Sequence, residues 1–135
     1  MIVVDASAVA EALLRSSAAD DLAPHDLAAR LFAGGETLHA PHLLDVEVAH
    51  VIRRYAAMGE IDNERGRAVL ADLADLPLRR YPHDFLLPRI WELRNTISAY
   101  DAVYVALAEV LDAPLLTRDR RLAAAAGTYV SIELI

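Results

Sequence analysis

Residues 1–10 read MIVVDASAVA and contain the clearest indication of the fold class. A short apolar run leads into Asp5, and small residues with a helical pattern follow. An uninterrupted apolar run of this kind is typical of a strand in a parallel sheet, because such a strand is covered on both faces. Asp5 therefore lies where the first strand ends and the first helix begins, and its carboxylate needs a partner there.

The remaining sequence continues the alternation of strands and helices. Strands are predicted over residues 2–5, 37–40, 78–81, 115–117 and 129–132. Helices are predicted over residues 6–15, 25–33, 43–58, 63–75, 85–94, 99–111 and 120–126. This alternation predicts the α/β class, as a three-layer α/β/α sandwich around a central parallel five-stranded sheet. The length of 135 residues suits one domain over 1–135.

Composition excludes several classes of chemistry. The sequence has no cysteine, and its 13 basic residues are all arginine, so thiolate metal sites, Schiff bases and phosphate-binding loop lysines are ruled out. The net charge of -7 argues against a protein that coats nucleic acid. No signal peptide is apparent, and no uncharged apolar run approaches the roughly 20 residues of a membrane-spanning helix. We therefore expect a cytoplasmic protein.

Four acids are predicted to meet at one edge of the sheet. The carboxyl ends of parallel strands, and the helices that follow them, all lie at that edge. The four are Asp5, Glu47, Asp101 and Asp119. Clustered carboxylates repel one another unless a cation compensates them, and oxygen ligands suit Mg²⁺ or Mn²⁺. The chemistry that follows is metal-assisted attack of water on a phosphodiester.

Each acid also has a simpler structural interpretation. Ser98 and Asp101 have the spacing of a capping box. Asp119 could only be the N-cap of the helix that begins at residue 120, and Glu47 could be a solvated residue near a helix start. Asp5 is hardest to explain without a partner, because the end of a buried strand desolvates it.

The sequence contains two further clusters that are candidates for binding sites. His39, His42 and His50 lie close in sequence, but their spacing matches no zinc motif. Arg118 and Arg120 flank Asp119 and are candidates for contacts with RNA phosphate. The pair at residues 53–54 is interpreted as a solvated helix end.

Four segments together resemble a known family. VVDASAV (3–9), LLDVEVAHVIRR (43–54), SAYDAVYVALAEVL (98–111) and LLTRDRRL (115–122) resemble the PIN-domain ribonucleases, specifically toxins of the VapC type. The resemblance implies a metal-dependent endoribonuclease that binds Mg²⁺ or Mn²⁺ through Asp5, Glu47, Asp101 and Asp119. Ser7 and Thr117 match the hydroxyl residues that support the first and last acids. His50 departs from the family, where the position is often Asn.

The resemblance also implies partners. The expected ones are an RNA substrate, a cognate antitoxin of a type II toxin-antitoxin system whose tail enters the acidic groove, and a second copy in a homodimer. Apolar helix surface around Leu13, Leu31 and Leu44 is a candidate for the dimer contact. Two alternatives stay open: a non-catalytic PIN-like binding module, and an aspartyl-nucleophile phosphatase. The phosphatase is disfavoured because Ser7 stands where its second aspartate belongs.

Overall fold

A computed structural model of the protein describes residues 1–16, 31 and 33–135. Its strands are β1 (Ile2–Val4), β2 (Leu38–Pro41), β3 (Leu78–Tyr81), β4 (Leu115–Thr117) and β5 (Ile132–Leu134). Its helices are α1 (Ala6–Ser16), α2 (Leu43–Ala57), α3 (Asn63–Asp75), a 3-10 turn (Asp84–Leu86), α4 (Leu87–Glu92), α5 (Ala99–Leu111) and α6 (Arg120–Ala126).

The five strands form one sheet in the order β3-β2-β1-β4-β5, and every neighbouring pair is parallel. Val3 lies opposite His39 on one side and Leu115 on the other, so β1 is central and its side chains are buried. Helix α5 packs on β1, β2 and β4, and α1 packs on α2, α3 and β4. The predicted α/β architecture with a parallel five-stranded sheet is confirmed.

The connections between strands change direction at β1. The chain runs outward from β1 to β2 and β3, then returns to β4 on the other side of β1. In open α/β sheets such a reversal leaves a crevice at the carboxyl ends of the two adjacent strands. This topology places the turns after β1 and β4 side by side.

Some predicted boundaries were wrong. The last strand was predicted over 129–132 but occupies Ile132–Leu134, because the amides of Tyr129 and Val130 donate to the Ala126 carbonyl at 2.9 and 3.2 Å and extend the turn after α6. The helix predicted over 85–94 is a 3-10 turn followed by the shorter α4. Proline lacks the amide that a continuous helix would need, and Pro88 lies in the first turn of α4.

The helix predicted over 25–33 falls almost entirely on residues that the structure does not describe. The second strand was predicted over 37–40 but occupies Leu38–Pro41, and its last residue, Pro41, pairs with Tyr81. Within residues 1–16 and 33–135, no helix is long and apolar enough to cross a membrane.

The proposed dimer contact was also wrong in its residues. Leu13, Leu31 and Leu44 are 1%, 4% and 0% exposed and belong to the hydrophobic core. Their helical spacing indicates one apolar face, but spacing alone does not say whether the sheet or a second chain covers it. In this fold the protein's own core covers all three.

Candidate active site

A cleft of about 630 Å³ opens at the carboxyl ends of β1 and β4. Its lining includes all four predicted acids, Asp5, Glu47, Asp101 and Asp119. We call it the acidic cleft. The structure therefore brings together side chains that are separated by up to 114 positions in the sequence, since residues 5 and 119 are its extremes.

Asp5 directly follows β1 and is buried, and its carboxylate accepts hydrogen bonds from three donors. Its Oδ1 accepts from the Ser7 hydroxyl at 2.7 Å and from the Ala8 amide at 3.0 Å. Its Oδ2 accepts from the Thr117 hydroxyl. Burial raises the pKa of Asp5 above its ordinary value, although these hydrogen bonds oppose the rise. The two hydroxyl residues predicted to support the acids thus both contact Asp5.

The turn after β4 is tied to the turn after β1. Thr117 Oγ1 accepts from the Asp119 amide at 2.9 Å, and Ser7 Oγ accepts from the Arg118 amide at 3.0 Å. Asp119 caps α6 because its Oδ1 accepts from the amides of Arg121 and Leu122 at 2.9 and 3.1 Å. The capping interpretation of Asp119 is therefore confirmed, and the same side chain lines the acidic cleft.

Glu47 reaches the cleft from α2 and meets a partner that the sequence analysis missed. The Tyr104 hydroxyl donates to Glu47 Oε1 at 2.5 Å. Tyr104 follows Asp101 by three residues, so both lie on the same face of α5. That spacing was the available signal, but the apolar pattern of α5 identified Tyr104 only as a core residue.

Burial raises the pKa of Glu47 and Asp101, and the charges of neighbouring acids add to the rise. Burial is the main cause for Glu47, and the charges of Asp101 and Asp5 add to it. Burial also raises the pKa of Asp101, with a further contribution from Asp119, whereas the charge of Arg121 lowers it. Ser98 accepts from the Asp101 amide at 3.3 Å, so the predicted cap of α5 is present as well.

The four carboxylates have the chemistry that a hard divalent cation requires, but they are not arranged as a preformed metal site. In the described part of the chain, no three aspartate, glutamate or histidine side chains are grouped tightly enough to hold a metal ion as they stand. The four carboxylates nevertheless share one cleft and supply only oxygen atoms, and burial raises the pKa of Asp5, Glu47 and Asp101. A cation of the Mg²⁺ type would relieve that repulsion.

Basic residues approach the acidic cleft from two directions. Arg54 and His50, both on α2, are part of its lining. Arg54 is exposed in the last turn of α2, so it is solvated at the helix end, as predicted, and also lines the cleft. Arg118 forms an ion pair with Glu11 at 2.5 Å. Arg120 is exposed in the first turn of α6.

The three histidines do not form a joint site. His39 is buried, and its ring nitrogens hydrogen bond with the hydroxyls of Tyr81 and Thr37 at 2.7 and 2.9 Å. His42 contacts the ring of His83 instead, with centroids 6.1 Å apart. His39 thus has a structural role in the sheet.

Comparisons with known proteins agree with this architecture. The model of the family described as "PIN domain" matches residues 2–128. The chain is 45% identical over 134 residues to Ribonuclease VapC1 of Mycobacterium tuberculosis, which covers 98% of this chain and 96% of the relative.

Two solved structures share the fold. PAE2754 from Pyrobaculum aerophilum superposes with a TM-score of 0.68 at 25% identity, over 97% of this chain and 81% of the other. Mycobacterium tuberculosis VapC20, described as a sarcin-ricin loop cleaving toxin, superposes with a TM-score of 0.65 at 20% identity, over 93% of this chain and 95% of the other. From its motifs, its sheet and these matches together, the chain belongs to the PIN-domain family and is a VapC-type member of it.

Proposed function

We propose that the protein is a divalent-metal-dependent endoribonuclease and the toxin of a toxin-antitoxin pair. The observation that carries this proposal is the lining of one cleft by Asp5, Glu47, Asp101 and Asp119 at the topological switch point of the sheet. Similarity to a VapC ribonuclease over nearly the whole chain supports the reaction class.

In this proposal the four acids would hold Mg²⁺ or Mn²⁺. A bound divalent cation lowers the pKa of its water and offsets charge that develops on phosphate oxygens. The chain's own residues then have distinct tasks. Ser7 and Thr117 hold the Asp5 carboxylate in one orientation, and Tyr104 does the same for Glu47.

The basic residues have a complementary task in binding the RNA backbone. Arg54 already lines the acidic cleft and is the best placed guanidinium for a phosphate. Arg120 is exposed and free to follow the backbone away from the cleft. Arg118 would have to exchange its ion pair with Glu11 for a phosphate. We therefore rank Arg54 ahead of the two residues predicted from the sequence.

An antitoxin is the proposed protein partner. An acidic cleft that is free of substrate is complementary to an arginine-bearing peptide, because guanidinium groups bind carboxylates in a bidentate manner. Homodimerisation is also proposed. The apolar surface for it is better sought at Phe85, Leu87 and Trp91, which are exposed, than at the buried leucines.

Cleavage of a mixed set of single-stranded and structured RNAs tests the enzyme. Wild-type protein should cut with Mn²⁺ and not with EDTA, and Asp5→Asn and Asp101→Asn should abolish cutting while remaining folded. Asp72→Asn, an exposed acid on α3, is the matched control and should cut normally. An active, folded Asp5→Asn variant would exclude the proposed site.

The second candidate is a non-catalytic binding module that uses the same cleft. Titration with Mn²⁺ separates the two, since the nuclease must bind the ion and the module need not. A protein that neither cuts RNA nor binds Mn²⁺ would support the module.

A further inference from the structure

We propose that Tyr100, together with Val46, forms a seat for one unpaired RNA base beside the acids. This inference rests on the proposed ribonuclease activity and deepens it by specifying the substrate: a nucleotide whose base is free of pairing and stacking. The juxtaposition of an exposed aromatic ring and the carboxylates within one cleft is the observation behind it.

Both side chains are exposed although they are large and apolar. Tyr100 is 66% exposed and Val46 is 68% exposed, and both line the acidic cleft. Each directly precedes an acid on its own helix, Asp101 on α5 and Glu47 on α2. Exposed apolar residues that are grouped within a functional cleft indicate a surface that a ligand covers.

The arrangement of these groups suits a nucleotide. Tyr100 and Asp101 are consecutive on α5 and both line the acidic cleft, so an aromatic ring and a carboxylate are available to the same ligand. A nucleotide likewise carries a flat apolar base one sugar away from its anionic phosphate. The cleft of about 630 Å³ lies within the range of roughly 300–1,000 Å³ that small-molecule sites occupy.

Arg54 supplies a positive group in the same cleft as the apolar seat and is placed to bind a phosphate. Without a cation the four carboxylates favour an arginine-bearing peptide, whereas a bound cation offsets them and leaves Arg54 available for a phosphate. A nucleotide satisfies the acids through the cation, Arg54 through its phosphate, and Tyr100 through its base.

The seat selects unpaired nucleotides for a steric reason. Within an A-form duplex both faces of each base are covered by neighbouring bases, so a base can stack on a side chain only after it has left the helix. Loops, bulges and single strands present such bases. The protein should therefore cut at unpaired positions and spare continuous duplex RNA.

Steady-state cleavage of a single-stranded RNA tests the seat. Tyr100→Ala should raise KM by about 5- to 150-fold, the range that corresponds to the loss of one base–aromatic stack, whereas Tyr100→Phe should retain the wild-type KM. Val110→Ala is the matched control, because Val110 is a 61% exposed apolar residue on the same helix, α5, but lies outside the lining of the cleft. Its KM should equal that of the wild type.

A binding measurement that needs no turnover completes the test. Trp91 is the single tryptophan, so the double variant Trp91→Phe with Tyr100→Trp carries its only indole at the seat. With Ca²⁺ in place of Mn²⁺ to offset the carboxylates, a single-stranded oligoribonucleotide should quench its fluorescence. A duplex of the same sequence, or an oligomer of abasic sugar-phosphate, should not.

The outcomes separate this inference from the proposed function. Normal cleavage by the wild type with an unchanged KM for Tyr100→Ala would overturn the seat and leave the nuclease standing. Equal quenching by the abasic oligomer would also overturn it. A Tyr100→Ala variant that loses only its affinity for an arginine-bearing peptide would assign the surface to protein binding instead. Absence of cleavage by the wild type would refute the nuclease, while quenching would still report on the base.

Discussion

At the scale of one residue, Asp5 shows how a buried carboxylate is stabilised. It is 5% exposed, and burial by itself favours its neutral form. Three donors, from Ser7, Ala8 and Thr117, stabilise the carboxylate and orient both of its oxygens. Buried charge is tolerated when it is hydrogen-bonded, so the site is prepared before any ligand arrives.

Thr117 supports two acids at once, and its removal should cost stability. Thr117→Val keeps the shape but deletes the donor to Asp5 and the acceptor for the Asp119 amide. We expect the free energy of unfolding to fall by about 1–3 kcal/mol, as for buried polar groups left without partners. Urea titration measures this, with Thr128→Val at an exposed position as the control. Equal midpoints for the two variants would contradict the role of Thr117.

Tyr104 should matter for metal affinity more than for folding. Tyr104→Phe removes the hydroxyl that donates to Glu47 but keeps the buried ring. Loss of a group that orients a metal ligand typically lowers affinity by about 10- to 100-fold, while the lost hydrogen bond costs only about 1 kcal/mol of stability. Calorimetric titration with Mn²⁺ checks the first value and thermal unfolding the second. Tyr55→Phe, on the neighbouring α2, should change neither.

At the scale of elements, the N-termini of two helices position acids of the site. Ser98 caps α5 and Asp119 caps α6, and these two helices bring Asp101 and Asp119 to the acidic cleft. Helix α5 has seven consecutive buried residues, from Ala102 to Ala108, because it packs on three strands. A helix held this firmly keeps Asp101 and Tyr104 in a constant relation to the sheet.

The two tasks of Asp119 can be separated by substitution. Asn caps helices as well as Asp does, but it carries no charge. Asp119→Asn should therefore keep the stability of the protein and lose Mn²⁺ affinity and cleavage. Asp119→Ala should lose these and also about 0.5–2 kcal/mol of stability. Chemical denaturation beside Mn²⁺ titration distinguishes the variants, and an Asn variant with full affinity would reduce Asp119 to a cap.

For the whole molecule, the strand order brings the acids together at an electrostatic cost. Asp5, Glu47 and Asp101 all have raised pKa values in the metal-free protein, mainly through burial. An acid whose pKa is higher in the folded than in the unfolded state binds more protons when folded. The contribution of such an acid to the free energy of unfolding therefore falls as pH rises from the ordinary carboxyl pKa, about 4, through the raised pKa.

Comparison of Asp5→Asn with the wild type isolates this effect. The amide cannot ionise, so the stability of the variant relative to the wild type should increase as pH rises from 4 to 8. Opposing contributions, such as that of His39, whose pKa is lowered by burial, are common to both proteins and cancel. Urea unfolding in EDTA across this range measures the difference. Mn²⁺ at pH 8 should stabilise the wild type selectively, and a difference that is constant with pH would contradict the electrostatic cost.

The amino-acid sequence alone was sufficient to predict the class of fold and most elements. Its apolar runs, caps and periodicities are local, so β1, α3, β3, α5, β4 and α6 appear within a residue of their predicted positions. The bounds of β5 and α4 depend on hydrogen bonds and on a proline, which the hydrophobic periodicity of the sequence does not reveal. The four acids could be grouped in advance because every parallel strand delivers its carboxyl end to the same edge.

The contacts that each side chain makes across that edge depend on how the elements pack. The pairing of Tyr104 with Glu47, the place of Arg54 in the cleft, and the burial of Leu13 and Leu44 join residues from separate elements. Local patterns set which face of a helix is apolar, but the register and packing of helices on the sheet set which neighbours that face contacts. The sequence thus determined the acids and the scaffold, and the packing determined their partners.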